Sequence, residues 1–262
     1  MPLTTHLQLA AQLADAARAI LCHHWQRDDA GGPAFATKDD ASPVTEIDRR
    51  IETRLREMIE RAQPQHGVLG EEYPPHNLDA EYVWVLDPID GTKQFIAGIP
   101  VYGTLISLCQ DGQPLLGIID MPISGQRWVG ARGQPTTLND RVVRTRTCPS
   151  LSSALMSCSN PEMIPKVHRP AFNHLQQNSR WRLYGAACNA YASLASGRLD
   201  LSVDSGGMRE VDYCALVPVI EGAGGVISDW HGAPLTMHSD STVVAAGDPR
   251  LHAQVLELLG RL

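Results

Sequence analysis

The first clear period in the chain runs from Leu3 to Trp25, where Leu9, Leu13, Ala17 and Ile20 recur at steps of three to four residues. That spacing places them on one face of an amphipathic helix. A loop with Gly31, Gly32 and Pro33 follows. Ile47, Ile51, Leu55 and Met58 predict a second helix over Glu46–Arg61, with charges on the opposite face. Its start at Ser42-Pro43-Val44-Thr45 reads as a cap.

The period then changes. Short apolar runs at Gly67–Gly70 and Tyr82–Leu86 end in Glu71-Glu72 and in Asp87. Tyr102–Cys109, Leu115–Asp120 and Gln126–Ala131 predict successive strands joined by turns such as Asp111-Gly112, an antiparallel meander rather than βαβ units. After about Arg144 the order alternates. Strand-like runs at 153–157, 182–184, 199–203, 226–229 and 242–246 intervene between helical runs at 167–177, 186–196, 212–222 and 248–259. The expected fold is therefore a mixed α+β and α/β sandwich, with two sheets layered between helices. It divides into an N-terminal α+β half over 1–144 and a smaller α/β half over 145–262. No internal repeat is visible.

Composition narrows the function classes. A length of 262 residues gives ample room for a buried core, and 43% hydrophobic with 19% charged residues is ordinary for a globular protein. A net charge of -7 repels nucleic acid phosphate, so no nucleic acid polymer is expected as a partner. The six cysteines show no C-x-x-C pair and no disulfide framework, which suits a reduced, cytoplasmic protein. Met1 to Leu21 lacks a basic start and a continuous apolar run, so no secretory signal is expected. No run of about 18 apolar residues is present, and no membrane partner is expected.

The most informative stretch is Asp87-Pro88-Ile89-Asp90-Gly91-Thr92. A strand delivers Asp87, Pro88 stiffens the turn, and Asp90 returns three residues later. Two carboxylates so spaced can face one cation, with the Ile89 carbonyl also available. Hard cations such as Mg²⁺ take oxygen ligands and keep waters for a substrate phosphate. Gly91 and Thr92 open a helix whose first N–H groups are a seat for phosphate. Asp-Pro and Asp-Gly are also common turn dipeptides, and a hairpin turn is the plain alternative. Three further features weigh against it: Gly70-Glu71-Glu72 at the end of another strand, Asp212 opening a strongly apolar helix, and Lys38 to Asp48 ahead of the second helix.

These four blocks, in this order and over nearly the whole length, make the chain similar to the inositol monophosphatase superfamily. The last block is Asp212 to Gly225 within V-D-Y-C-A-L-V-P-V-I-E-G-A-G-G. The resemblance implies an αβαβα layered sandwich of the sugar-phosphatase type and a phosphate monoesterase using two to three Mg²⁺ ions on a small soluble metabolite. It implies metal binding by Glu71, Asp87, Asp90 and Asp212 with the Ile89 carbonyl. Asp87 would bridge two ions, and Glu71 would serve the first and a third, weaker one. Glu72 is expected to be solvated or to stand behind the ligands. Thr92 would orient the attacking water, and Asp48 would accept from the Thr92 hydroxyl. The N–H groups of Gly91 and Thr92 would hold phosphate oxygens, and Lys38 would add positive charge. Asp48 has a second reading as an acid in the first turn of a helix capped by Thr45. A homodimer is expected by resemblance alone.

Within the superfamily the chain looks most like the histidinol-phosphate phosphatase branch. Gly91-Thr92-Lys93-Gln94-Phe95, Ser157 to Met163 and Ala215 to Gly225 carry that likeness. Two positions depart from it. Val211 stands where the family usually has Trp, after a 204–210 loop one residue longer than the common form. Ala187 stands where that branch tends to carry an acid able to pair with the substrate ammonium, and Asp204 could supply charge or bind a sugar hydroxyl instead. Histidinol phosphate is the first expectation for the substrate, with an inositol or sugar phosphate, or a nucleotide 3′-phosphate, as alternatives. An inactive metabolite- or partner-binding relative would show a lost metal acid or a lost Thr92, and none is lost.

Other motifs resolve plainly. Asp204-Ser205-Gly206-Gly207 has no accompanying His base and orienting Asp, and reads as a loop. Gly222-Ala223-Gly224-Gly225 follows a helix, not a strand, and reads as a helix stop. The ten histidines form no H-E-x-x-H or H-x-H pair, and His23-His24 reads as a helix end. Tyr82, Trp84 and Trp181 are expected in the core.

Overall fold

The computed structural model describes residues 2–25, 33–38 and 43–260, so the loop glycines Gly31 and Gly32 and the cap residue Ser42 lie outside the described residues. Helix α1 spans Leu3–Trp25, as its periodicity requires. Two short strands, β1 (Phe35–Thr37) and β2 (Pro43–Thr45), pair antiparallel ahead of α2 (Glu46–Ala62). Thr45 caps α2 in a capping box with Asp48, which satisfies two amides at the helix start.

Seven strands follow: β3 (Gly67–Gly70), β4 (Tyr82–Asp90), β5 (Gly103–Gln110), β6 (Gln113–Met121), β7 (Gln126–Ala131), β8 (Gln134–Leu138) and β9 (Arg141–Val142), with helix α3 (Thr92–Ile96) after β4. They form one sheet in sequential order, antiparallel except for β3 against β4. Asp111-Gly112 closes the β5–β6 hairpin with positive φ at both residues, the geometry a two-residue hairpin turn needs. Strands β8 and β9 extend the meander beyond the expectation. Gln134-Pro135-Thr136-Thr137-Leu138 carries little apolar alternation, so the period of two was not there to read.

The second half contains β10 (Leu155–Cys158), α4 (Arg169–Asn178), β11 (Trp181–Tyr184), α5 (Cys188–Ala195), β12 (Leu201–Ser205), α6 (Glu210–Tyr213), α7 (Leu216–Gly222), β13 (Val226–Ser228), β14 (Thr242–Ala246) and α8 (Pro249–Leu259). Its five strands run in the order β11-β10-β12-β14-β13. The single helix expected over 212–222 is two. Pro218 has no N–H for the carbonyl of Cys214 and its ring crowds that turn, so it is tolerated in the first turn of α7 but not inside a continuous helix.

Alternation within the strands assigns the layers. Trp84, Leu86, Ile106 and Ile118 face α1 and α2, whereas Val83, Val85, Leu105 and Ile119 face α5 and α7. The second sheet offers Ala245 and Val243 to α5 and α7, and Val244, Ala246 and Met156 to α4 and α8. The order is helices, sheet, helices, sheet, helices, the expected αβαβα sandwich. Trp84 is fully buried, but Trp181 on the edge strand β11 is 59% exposed, contrary to the core position expected of it. Among the described residues no helix is long and apolar enough to cross a membrane.

Candidate active site

A period of two would send Asp87 and Asp90, three residues apart, to opposite faces of the sheet. The β4–β5 register shows why it does not. Asp87 pairs with Leu105 and Asp90 with Gly103, so Pro88 and Ile89 together face Thr104 in a bulge. Pro88 has no N–H for the ladder, and its carbonyl accepts from the buried Thr104 hydroxyl at 2.8 Å. The extra residue turns both carboxylates to one side. Because β3 runs parallel to β4 with Gly70 beside Leu86, Glu71 leaves its strand end next to Asp87.

Asp212 arrives on α6, which packs against β4 and is anchored by the buried Val211 and Tyr213. Val211 is thus a core residue. The Arg209 N–H donates to Asp212 Oδ2 at 2.6 Å. Oxygens of Asp87, Asp90 and Asp212 lie within 4.8 Å of one another, the one group of three or more possible ligands this close among the described residues. Asp87 is buried and its Oδ1 has no hydrogen-bond partner there. Burial, then the neighbouring Glu71, Asp90 and Asp212, push its carboxyl well above the usual range. Burial raises Asp90 to about 6 against the pull of the Cys188 bond. Asp212 rises for the same first cause, reinforced by Asp90 and Glu71. Clustered carboxylates, one buried and two half-buried, are a hard-donor set that fits a divalent cation.

Other residues stand around this cluster. Glu71 accepts from Lys38 Nζ at 2.9 Å, and Glu72 accepts from it at 2.7 Å. The Glu72 carboxylate is almost fully enclosed rather than solvated, and burial lifts it to about 7 despite the lysine. Gly91 has φ 90 and precedes α3, and a Cβ on it would lie 3.1 Å from that of Ala187. The first amides of α3, from Thr92 on, have no carbonyl within the helix to bond. Residues 39–42 of the first sequence block lie outside the described residues.

Two expectations need correction. The Thr92 hydroxyl donates to the Ile89 carbonyl at 3.0 Å and not to Asp48. Asp48 is committed to the capping box, with Oδ2 accepting from the Thr45 N–H and hydroxyl, while its buried Oδ1 has no partner among the described residues. The Ile89 carbonyl accepts this one bond and keeps a second lone pair. Asp204 is not an open substrate group. It is buried and accepts from Ser159 N–H at 2.7 Å, Tyr191 hydroxyl at 2.7 Å, Ser159 hydroxyl at 3.3 Å and Cys158 thiol at 3.4 Å.

Sequence reasoning missed several groups. The Cys188 backbone N–H donates to Asp90 Oδ2, tying α5 to the cluster. Gln94 Nε2 donates to the Gly185 carbonyl at 2.8 Å. Glu52 accepts the Glu72 N–H at 2.7 Å and Arg56 at 2.7 Å. Glu52 left a signal as an acid one turn after Asp48 beside the apolar Ile51 and Leu55, and Gln94 stands in the Gly91–Phe95 run, which did not show its partner. A backbone N–H leaves none.

A model of the inositol monophosphatase family matches residues 3–262. The chain belongs to the inositol monophosphatase family. It is 43% identical over 256 residues to "Bifunctional phosphatase IMPL2, chloroplastic" of Arabidopsis thaliana, covering 94% of this chain and 72% of that protein. It is 31% identical to a histidinol-phosphatase of Chlorobaculum parvum, covering 93% of each chain. The solved inositol monophosphatase of Zymomonas mobilis superposes with a TM-score of 0.88 at 39% identity over 99% of both chains. Members of the inositol monophosphatase family are metal-dependent phosphatases of small phosphorylated molecules, and this chain is a phosphatase of that family.

Proposed function

We propose that the chain is a Mg²⁺-dependent histidinol-phosphate phosphatase. The observation that carries the metal reading is the convergence of Asp87, Asp90 and Asp212 within 4.8 Å. In this reading Asp87, Asp90, Asp212 and Glu71 hold two to three ions, with the Ile89 carbonyl beside them. Bound there, divalent cations supply Lewis acidity that neutralises phosphate charge and acidifies water. The chain's own groups do the rest. The Gly91 and Thr92 N–H groups hold phosphate oxygens. The Thr92 hydroxyl orients the water that attacks phosphorus as the P–O ester bond breaks. The attacking water gives up a proton and the departing alkoxide oxygen gains one, while Asp48 holds the Thr45 cap at the start of α2. Lys38 holds Glu71 and Glu72 at their places beside the cluster.

The 31% identical histidinol-phosphatase and the motifs around Gly91, Ser157 and Ala215 support the substrate. The second reading is an inositol 1-phosphate phosphatase, favoured by Ala187. It is buried against Gly91 and presents a methyl group where an acid would face a substrate ammonium. A homodimer belongs to the same proposal, supported by the exposed Trp181, Leu183 and Tyr184 on the edge strand β11.

Phosphate release from histidinol phosphate, inositol 1-phosphate, fructose 1,6-bisphosphate and adenosine 3′,5′-bisphosphate tests both parts. Histidinol phosphate is expected to give the highest kcat/KM with Mg²⁺, and EDTA is expected to stop release. Undiminished release in EDTA would overturn the metal reading, and faster turnover of inositol 1-phosphate would overturn the substrate.

A further inference from the structure

At the rim of the site, Lys93 Nζ lies 3.7 Å from Glu162 Oε1. Lys93 follows Thr92 on α3, and Glu162 lies on the short helical turn Pro161–Met163, so the pair reaches from the first half of the chain to the second. The turn is held from several sides. Asp204 takes the Ser159 N–H, the Gly185 N–H donates to the Ser159 carbonyl at 3.1 Å, and Gln94 binds the Gly185 carbonyl. Its far side packs on the loop leading to Asp212, where a Cβ on Gly206 would come within 2.6 Å of the Met163 carbonyl. Glu162 is thus fixed opposite the start of α3 while its carboxylate stays 67% exposed.

Most other acids here are committed: Asp87, Asp90 and Asp212 face one another, Asp204 is occupied by four donors, and Ala187 carries no charge. Glu210, half-buried at the start of α6, is the rival acid. The Lys93–Glu162 contact is longer than a tight charged hydrogen bond and open to solvent, so it exchanges readily. We propose that Glu162 is a specificity-determining residue that receives the cationic group of a phosphate monoester, an ammonium carried a few bonds from the ester oxygen, in exchange for Lys93. The released Lys93 then faces the substrate's phosphate end beside Thr92. The inference deepens the histidinol-phosphate reading and rests on it for the natural substrate. Its chemistry concerns any ammonium-bearing ester.

The test compares kcat/KM for 2-aminoethyl phosphate with that for 2-hydroxyethyl phosphate, its neutral counterpart, in the Mg²⁺-loaded wild type, Glu162→Gln and Glu162→Lys. The wild type is expected to favour the ammonium ester. Glu162→Gln should lower that ratio about fivefold, in KM rather than kcat, as suits a partly exposed ion pair, and Glu162→Lys should lower it further. Circular dichroism should show all three folded. An unchanged ratio in Glu162→Gln, or its loss in Glu210→Gln instead, would overturn the proposal. Failure of the histidinol-phosphate reading shows separately, as a wild type that favours 2-aminoethyl phosphate yet turns over inositol 1-phosphate faster than histidinol phosphate.

Discussion

Asp90, at the end of a strand in the first sheet, accepts a hydrogen bond from the backbone N–H of Cys188, 98 residues further along the chain. The bond fastens the first turn of α5 to the carboxylate cluster. One carboxylate therefore has two duties, as a member of the acidic group and as the partner of a helix-start amide. Asp90→Asn separates them, because the amide oxygen still accepts from Cys188 while the charge is gone. Mg²⁺-dependent phosphate release is expected to fall by at least about 100-fold, since even residues behind metal ligands cost 10–100-fold. The melting temperature should stay near that of the wild type. Asp90→Ala should also lose stability, about 1–3 kcal/mol, because the Cys188 amide is left unpaired.

In the metal-free chain, the stability that Asp90 and Glu72 contribute is expected to be lost as pH rises from 4.5 to 8. Asp90 is raised to about 6 and Glu72 to about 7 in the fold, above their ordinary values. The folded state then binds more protons than the unfolded one between those values, and the stability this confers is lost as pH climbs through the folded pKa values. Mg²⁺ should therefore raise the melting temperature more at pH 8 than at pH 5.5, as differential scanning fluorimetry would record. An equal shift at both pH values would contradict the mutual repulsion of the cluster.

Gly91→Ala should damage both fold and activity. The position has φ 90, which disfavours any side chain, and the new methyl would meet the Ala187 Cβ at 3.1 Å. The backbone penalty alone is about 1 kcal/mol. Urea unfolding should show at least that loss, and phosphate release should drop because the amides at the start of α3 move.

His6 offers a test of acid sensitivity away from the site. It is 1% exposed, packs its ring 5.6 Å from that of His66 and 4.9 Å from that of Tyr82, and neither ring nitrogen has a partner among the described residues. Burial lowers the pKa of both histidines, and the neighbouring His6 lowers that of His66 further. At these two histidines the unfolded chain then binds more protons below about pH 6.5, so their contribution lowers stability as pH drops through that range, opposite in sign to that of Asp90 and Glu72. His6→Leu should match or exceed wild-type stability at pH 7 by about 1 kcal/mol and flatten the decline toward pH 5, read from urea midpoints.

Much of the fold was legible because its elements are amphipathic. Leu9, Leu13 and Ala17 marked α1, and the runs at Gly67–Gly70 and Gln126–Ala131 matched β3 and β7 end for end. Strands with little apolar content were not legible: β8 and β9 lie at the margin of the sheet, and β1 and β2 are only three residues each. Likewise the break before α7 followed from Pro218, whose effect a purely hydrophobic pattern conceals. At the site, the acids announced themselves through motif order. Their hydrogen bonds did not, because the choice of Thr92 between Ile89 and Asp48, or the enclosure of Asp204 by Tyr191 and Ser159, depends on contacts made only after the chain has closed.

Helices α5 and α7 lie between the two sheets and serve as the lining of both. Neither sheet has a finished surface without them, so a fragment ending near residue 144 would expose the oily side of the meander and tend to clump. Melting should accordingly proceed in one step, with fluorescence from Trp84 and Trp128 on the first sheet and from Trp230 near the second changing together.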